Sequence, residues 1–157
     1  MLPNFSYAEG FVDLPPVIDE FPYIGKYLSS ELKEKLKLIK YYENTGFRDQ
    51  YHIYVYAVTE EIDGSFVEHT SLSTKLHSLP LSDSEFEIYI DECFGWPLYE
   101  RKFLEDYDLL SERCSGYWYY SGSYDASKRR PYCYLGWHEM LLYLEHSGIL
   151  IYMNIDT

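Results

Sequence analysis

Side-chain amides are scarce in this sequence. Asn4, Asn44, Gln50 and Asn154 are its only asparagine and glutamine residues, and alanine occurs three times in 157 positions. Few amides means few deamidation-prone positions, a trait of proteins that work hot. The three cysteines, Cys93, Cys114 and Cys133, are an odd number without CxxC spacing. That speaks against a disulfide framework or a zinc knuckle and for a reducing compartment. No apolar run is long enough to cross a bilayer, and MLPNFSYAEG has neither the basic nor the apolar region of a secretory signal. A cytoplasmic location is therefore expected. Basic residues are outnumbered 13 to 26, for a net charge of −13. Such a chain is poorly suited to broad electrostatic binding of DNA, RNA or anionic membrane, and well suited to a basic partner.

What is present is a globular composition. Hydrophobic residues make up 46% and charged residues 25%, with 19 tyrosines. The length fits one domain, 1–157, with an irregular segment at 1–28 that carries Pro15, Pro16 and Pro22. The charge is segregated. Residues 1–58 hold 8 acids and 6 bases, 59–112 hold 14 acids and 3 bases, and 113–157 hold 4 of each. Solubility alone does not require that concentration in the middle third.

Pattern predicts the elements. FVDL and PYIG read as short edge strands. A helix is expected from Glu31 to Asn44, capped by Ser29 or Ser30, with Leu32, Leu36 and Ile39 on one face and Lys33, Lys37 and Lys40 beside them. Tyr51–Glu61 and Phe66–Leu72 read as the strands of a hairpin turned at Asp63-Gly64, with Val58 opposite His69. Further strands are expected at Glu85–Asp91, Gly116–Tyr120, Tyr132–Leu135 and Ile149–Asn154, and helices at Leu98–Glu112 and Trp137–His146. The fold class expected is α+β, with a mixed or antiparallel sheet of about five strands and about three helices.

Carboxylates two apart on a strand share a face, where they can hold a hard cation such as Mg²⁺ or Mn²⁺ against a phosphodiester. Glu85, Glu87 and Asp91 form such a set on the strand expected there. Lys128, Arg129 and Arg130 are the only run of three bases, flanked by tyrosines, and suit phosphate contact. His69-Thr70-Ser71 is half of a two-histidine phosphodiesterase signature, and His138-Glu139 half of the zinc-helix motif HExxH, with Leu at position 142. Most tyrosines are expected to pack the sheet, with a surplus in SGYWYYSGSY available to an interface.

Two resemblances follow. The paucity of amides with abundant tyrosine resembles the small orphan proteins of viruses that infect hyperthermophilic archaea. Glu85-Phe86-Glu87-Ile88 with the upstream Gly64-Ser65 resembles the strand signature of nucleotidyltransferases, although residues 66–84 make a longer spacer than that family's. The second resemblance implies catalytic Glu85 and Glu87 and a divalent metal, in a nuclease or phosphodiesterase acting on nucleic acid. The charge pattern points elsewhere, to an interaction protein that meets a basic, nucleic-acid-binding partner through Glu60, Glu61, Asp63 and Glu68. Inhibitors of host defence, nucleic-acid mimics and immunity proteins against nuclease toxins work in this way.

Overall fold

The fold is that of a computed structural model, which describes residues 11–12, 20–45, 50–92, 115–122, 124–131 and 136–156. Its frame is set by segments whose two faces are both apolar. Strand β3 (Gln50–Val58) alternates Ile53 and Val55 on one side with Tyr54 and Tyr56 on the other, and all four are buried. Strands β8 (Trp137–Leu144) and β9 (Ile149–Asp156) are buried along most of their length. These three make the centre of a sheet covered on both faces.

The remaining strands are β1 (Phe11–Val12), β2 (Leu36–Thr45), β4 (His77–Ser78) and β5 (Gly116–Ser121). The seven run in the order β1-β2-β3-β9-β8-β5-β4, and each neighbouring pair is antiparallel. A separate ribbon pairs β6 (Tyr124–Asp125) with β7 (Arg130–Pro131). The helices are short: α1 (Ser30–Glu34), α2 (Asp83–Glu85), a π-helix over Phe86–Glu92, and single 3-10 turns at Ile24–Tyr27 and Phe66–His69. The α+β class holds, with more strand and less helix than expected.

One face of the sheet packs Ile53, Val55, Met140, Leu142, Ile151 and Met153 under Leu79, Leu81 and Phe86. The other is aromatic. Its central row places Tyr41, Tyr54, Tyr152, Leu141 and Tyr119 side by side across five strands. Ring centroids there are 5.0 Å apart for Tyr41–Tyr54 and 6.3 Å for Tyr54–Tyr152. Ile24, Leu28, Leu32, Phe66 and Leu72 cover this face. Phe66 stacks on Tyr143 at 4.1 Å. Each large side chain so buried contributes about 1.5–3 kcal/mol. Among the described residues, Tyr41, Tyr54, Tyr56, Tyr119, Tyr143 and Tyr152 are buried in the core. Trp118 and Tyr119 of SGYWYYSGSY are buried and so unavailable to an interface.

Several expected elements are corrected. The helix Glu31–Asn44 keeps only its first turn, capped as expected by Ser29, whose hydroxyl accepts from the Leu32 N–H at 3.1 Å. The chain then extends as β2. Leu36 and Leu38 point into the core, and a bulge between Leu38 and Lys40 leaves Ile39 exposed and returns Tyr41 inward. That bulge mimics helical spacing in the sequence. Lys33, Lys37 and Lys40 therefore do not share a helix face.

The hairpin partner Phe66–Leu72 is no strand, because Phe66 and His69 turn inward together on a 3-10 turn. Val58 pairs with Leu36 rather than His69. The turn glycine is real, with Gly64 at φ 79°. PYIG lies at the Ile24–Tyr27 turn, while FVDL does supply the edge strand β1. The helix expected at Trp137–His146 is β8. A strand buried on both faces loses its alternation and reads like a buried helix. Strands β5 and β9 stand where expected. The helix Leu98–Glu112, the strand Tyr132–Leu135 and all three cysteines lie outside the described residues.

Candidate functional site

The four acidic residues singled out for a partner, Glu60, Glu61, Asp63 and Glu68, are all exposed. They sit on the connection between β3 and Thr70, and local bonds fix its course. Lys35 Nζ donates to the Glu61 carbonyl at 2.8 Å and stands 3.7 Å from Glu31. His69 is buried, with Nε2 2.6 Å from the Asp63 carbonyl and Nδ1 3.3 Å from the Ser29 hydroxyl. Nε2 therefore carries a proton and donates to the Asp63 carbonyl, and Nδ1 also lies 3.8 Å from Glu31 Oε2. Thr70 Oγ1 accepts from the Leu72 N–H at 3.2 Å. His69-Thr70-Ser71 is thus a structural brace, not half of a phosphodiesterase site. The brace also ties in α1, which adds the exposed Glu31 and Glu34.

The metal set rested on a strand that does not form. Ser82-Asp83-Ser84-Glu85 is a capping box. Ser82 Oγ accepts from the Glu85 N–H at 3.1 Å, and Glu85 Oε2 accepts from the Ser82 N–H at 2.7 Å. Glu87 is exposed on the π-helix that follows, and Asp91 falls within that helix. Among the described residues no three His, Cys, Asp or Glu side chains group to hold a metal ion. A hard cation needs several oxygens, and Glu85 already spends one of its own on the helix cap.

Lys128 and Arg129 are exposed in the turn of the β6–β7 ribbon, and Arg130 begins β7. Asp125 shapes that turn, accepting from Ser127 Oγ at 2.6 Å, Ser127 N at 3.0 Å and Lys128 N at 3.2 Å. The Ser127 hydroxyl first, then the Lys128 N–H, hold the Asp125 carboxyl below its usual range. Strand β7 packs against Phe86–Glu92, so the basic turn and the Glu87 segment are neighbours.

A second cluster was not read from the sequence as a site. His138 and Glu139 are adjacent on the strand β8 and face opposite sides of the sheet, so they do not begin the helical HExxH motif. His138 is buried with Nδ1 2.5 Å from the Tyr120 hydroxyl. Glu139, 2% exposed, is buried on the aromatic face. It accepts from the hydroxyls of Tyr27 and of Tyr152, the latter at 2.6 Å. Lys26 Nζ is 4.0 Å from Glu139 Oε2 and 4.8 Å from the Tyr27 ring centre.

Burial first, then the Glu139 carboxylate, pushes the Tyr27 and Tyr152 phenols far above their usual range. Both therefore remain donors at any physiological pH. Asn154, the cross-strand partner of Glu139, is 1% exposed. Its amide stands near the Tyr152 hydroxyl and slightly offsets the rise in that phenol's pKa, without completing a hydrogen bond. The signal in the sequence was a lone charge in an apolar run: Glu139 is the only charged residue from 131 to 144.

No family model, no curated protein and no solved structure matches the chain. No helix among the described residues is long and apolar enough to cross a membrane.

Proposed function

We propose that this protein is an acidic interaction protein that docks on a basic partner through the connection carrying Glu60, Glu61, Asp63 and Glu68. One observation carries the reading. All four carboxylates are exposed on a single short connection that is braced at both ends, by Lys35 near its start and His69 near its end. Carboxylates on a fixed backbone present a constant negative surface, and their summed field speeds encounter with a positive one. A nucleic-acid-binding protein is the favoured partner, since spaced carboxylates imitate a phosphate backbone. An inhibitor, viral or phage-borne, and a toxin-immunity protein both fit that chemistry.

The test is the salt dependence of capture. Immobilised protein should retain a basic, nucleic-acid-binding protein from lysate at low salt and release it as screening shortens the reach of the field. Retention indifferent to salt, or retention of no basic protein, contradicts the proposal.

The alternative, a metal-dependent nuclease, keeps one supporting observation, the packing of β7 against Phe86–Glu92. Incubation with DNA and RNA in Mg²⁺ or Mn²⁺ tests it. Cleavage that disappears in Glu87→Ala would favour the nuclease over the docking protein, and no cleavage in either metal removes it.

A further inference from the structure

The Glu139 cluster is incomplete as a purely structural device. A buried carboxylate is costly unless it is paired and hydrogen-bonded. Glu139 has its two phenol donors, but Lys26 Nζ, at 4.0 Å, is beyond hydrogen-bonding distance, and the Lys26 side chain is 59% exposed. Beside the carboxylate, Asn154 buries an amide of which neither Oδ1 nor Nδ2 has a hydrogen-bond partner among the described residues. Buried side-chain amides are ordinarily satisfied, and an exception asks for a reason.

The surroundings are aromatic. Trp137 lies two residues before Glu139 on the same face of β8 and is 36% exposed. Tyr23, 47% exposed, packs on Trp137 at 5.2 Å and on His52 at 6.2 Å, and His52 is the other cross-strand partner of Asn154. Tyr23 holds φ at 64°, a conformation costly for a tyrosine, just where the chain enters the Ile24–Tyr27 turn above the cluster.

We propose that Glu139 and Asn154 form the floor of a recognition site for a primary ammonium group, walled by Tyr27, Tyr23 and Trp137. The carboxylate and Asn154 Oδ1 supply acceptors for a group that has three donors and no acceptor. The ring faces add cation–π attraction. The negative floor excludes anions. Lys26 marks the approach: its ammonium pairs with Glu139 Oε2 at 4.0 Å and lies over the Tyr27 ring at 4.8 Å, as a tethered placeholder that a freer ammonium displaces. The ammonium belongs either to a small alkylamine or to a lysine side chain of another protein. The site is separate from the acidic connection at 59–70 and does not depend on that surface docking anything.

The scarcity of amides makes the test direct. With Asn4, Asn44, Gln50 and Asn154 alone, a ¹⁵N spectrum carries four side-chain NH₂ pairs, and that of Asn154 reports on the floor. The probes are n-butylammonium and Nα-acetyl-lysine amide. Controls are n-butanol, Nε-acetylated lysine amide and sodium chloride at matched ionic strength. The Asn154 pair should shift saturably with the amines and not with the controls. Equal affinities point to a small amine, and preference for the lysine amide to a protein side chain. Lys26→Met should tighten binding roughly two- to fivefold, the worth of an exposed ion pair. Glu139→Gln, which keeps the size and one of the two phenol acceptors, should weaken it at least about tenfold. No saturable shift with either amine, an equal response to n-butanol, or an unchanged affinity in Lys26→Met overturns the proposal.

Discussion

The carboxylates of the 59–70 connection and the single carboxylate of Glu139 belong to the same side of one sheet, yet opposite electrostatics govern them. Phe66, which follows the acidic turn, stacks on Tyr143, and Tyr143 lies four residues from Glu139 on β8, about 14 Å along the strand. Glu60, Glu61, Asp63 and Glu68 stay in water and cost the fold almost nothing; in the proposed function they act through their summed field. Glu139 is withdrawn from water, so its charge has to be met by named donors. Net charge is therefore a poor guide to where charge matters to the fold: four acids stay at the surface, and one shapes what the core tolerates.

The largest expected effect breaks that contrast or secures it. Glu139→Ala leaves the Tyr27 and Tyr152 hydroxyls buried without their acceptor and should lower the unfolding free energy by about 3–5 kcal/mol, read from urea transitions. A loss below about 0.5 kcal/mol, the range of ordinary surface substitutions, would place Glu139 with the exposed acids. Tyr152→Phe removes one charge-assisted donor and should cost about 1.5–3 kcal/mol.

The same phenols predict a pH limb. Tyr27, Tyr120, Tyr143 and Tyr152 are all raised in the folded protein, with burial the largest cause in each. Above the ordinary tyrosine value of about 10, the unfolded chain releases phenolic protons that the folded chain keeps. The stability these groups contribute is complete below that pH and falls as pH rises beyond it. Urea midpoints measured from pH 8 to 11 should be flat and then drop, and Tyr152→Phe should make the drop shallower. An identical slope in that variant counts against a protected phenol.

Glu85 is an intermediate case, a half-buried carboxylate spent on a helix cap. Ser82→Ala should cost about 1 kcal/mol. Smallest of all, alanine at Glu60, Glu61, Asp63 or Glu68 should shift stability by no more than about 0.5 kcal/mol each. A larger loss at any of them would mean that the connection is built for the fold and not for a partner.

Much of this contrast was legible in the sequence on its exposed side only. The concentration of acids in 59–112 is a matter of counting, and exposed residues keep the properties composition assigns them. Strands β3, β5 and β9 were legible from their apolar and β-branched runs. Strands β2 and β8 were not, for different reasons. A bulge at Leu38 gives β2 a helical phase, and burial on both faces strips β8 of alternation.

The Ser82–Glu85 capping box was in plain view, but the alternation of Glu85-Phe86-Glu87-Ile88 suggested a strand, and the metal set followed from that. Glu139 drew notice only as half of a zinc motif. Its phenol donors, Tyr27 and Tyr152, come from a distant turn and the next strand, and no local pattern joins them.

The central claim is that the exposed acids are for a partner and not for the fold. It is tested by combining Glu60→Lys, Glu61→Lys, Asp63→Lys and Glu68→Lys in one chain and comparing its capture of a basic protein from lysate at low salt with that of the parent. The account predicts a folded variant that no longer retains what the parent retains. Retention at the parent's level would contradict it.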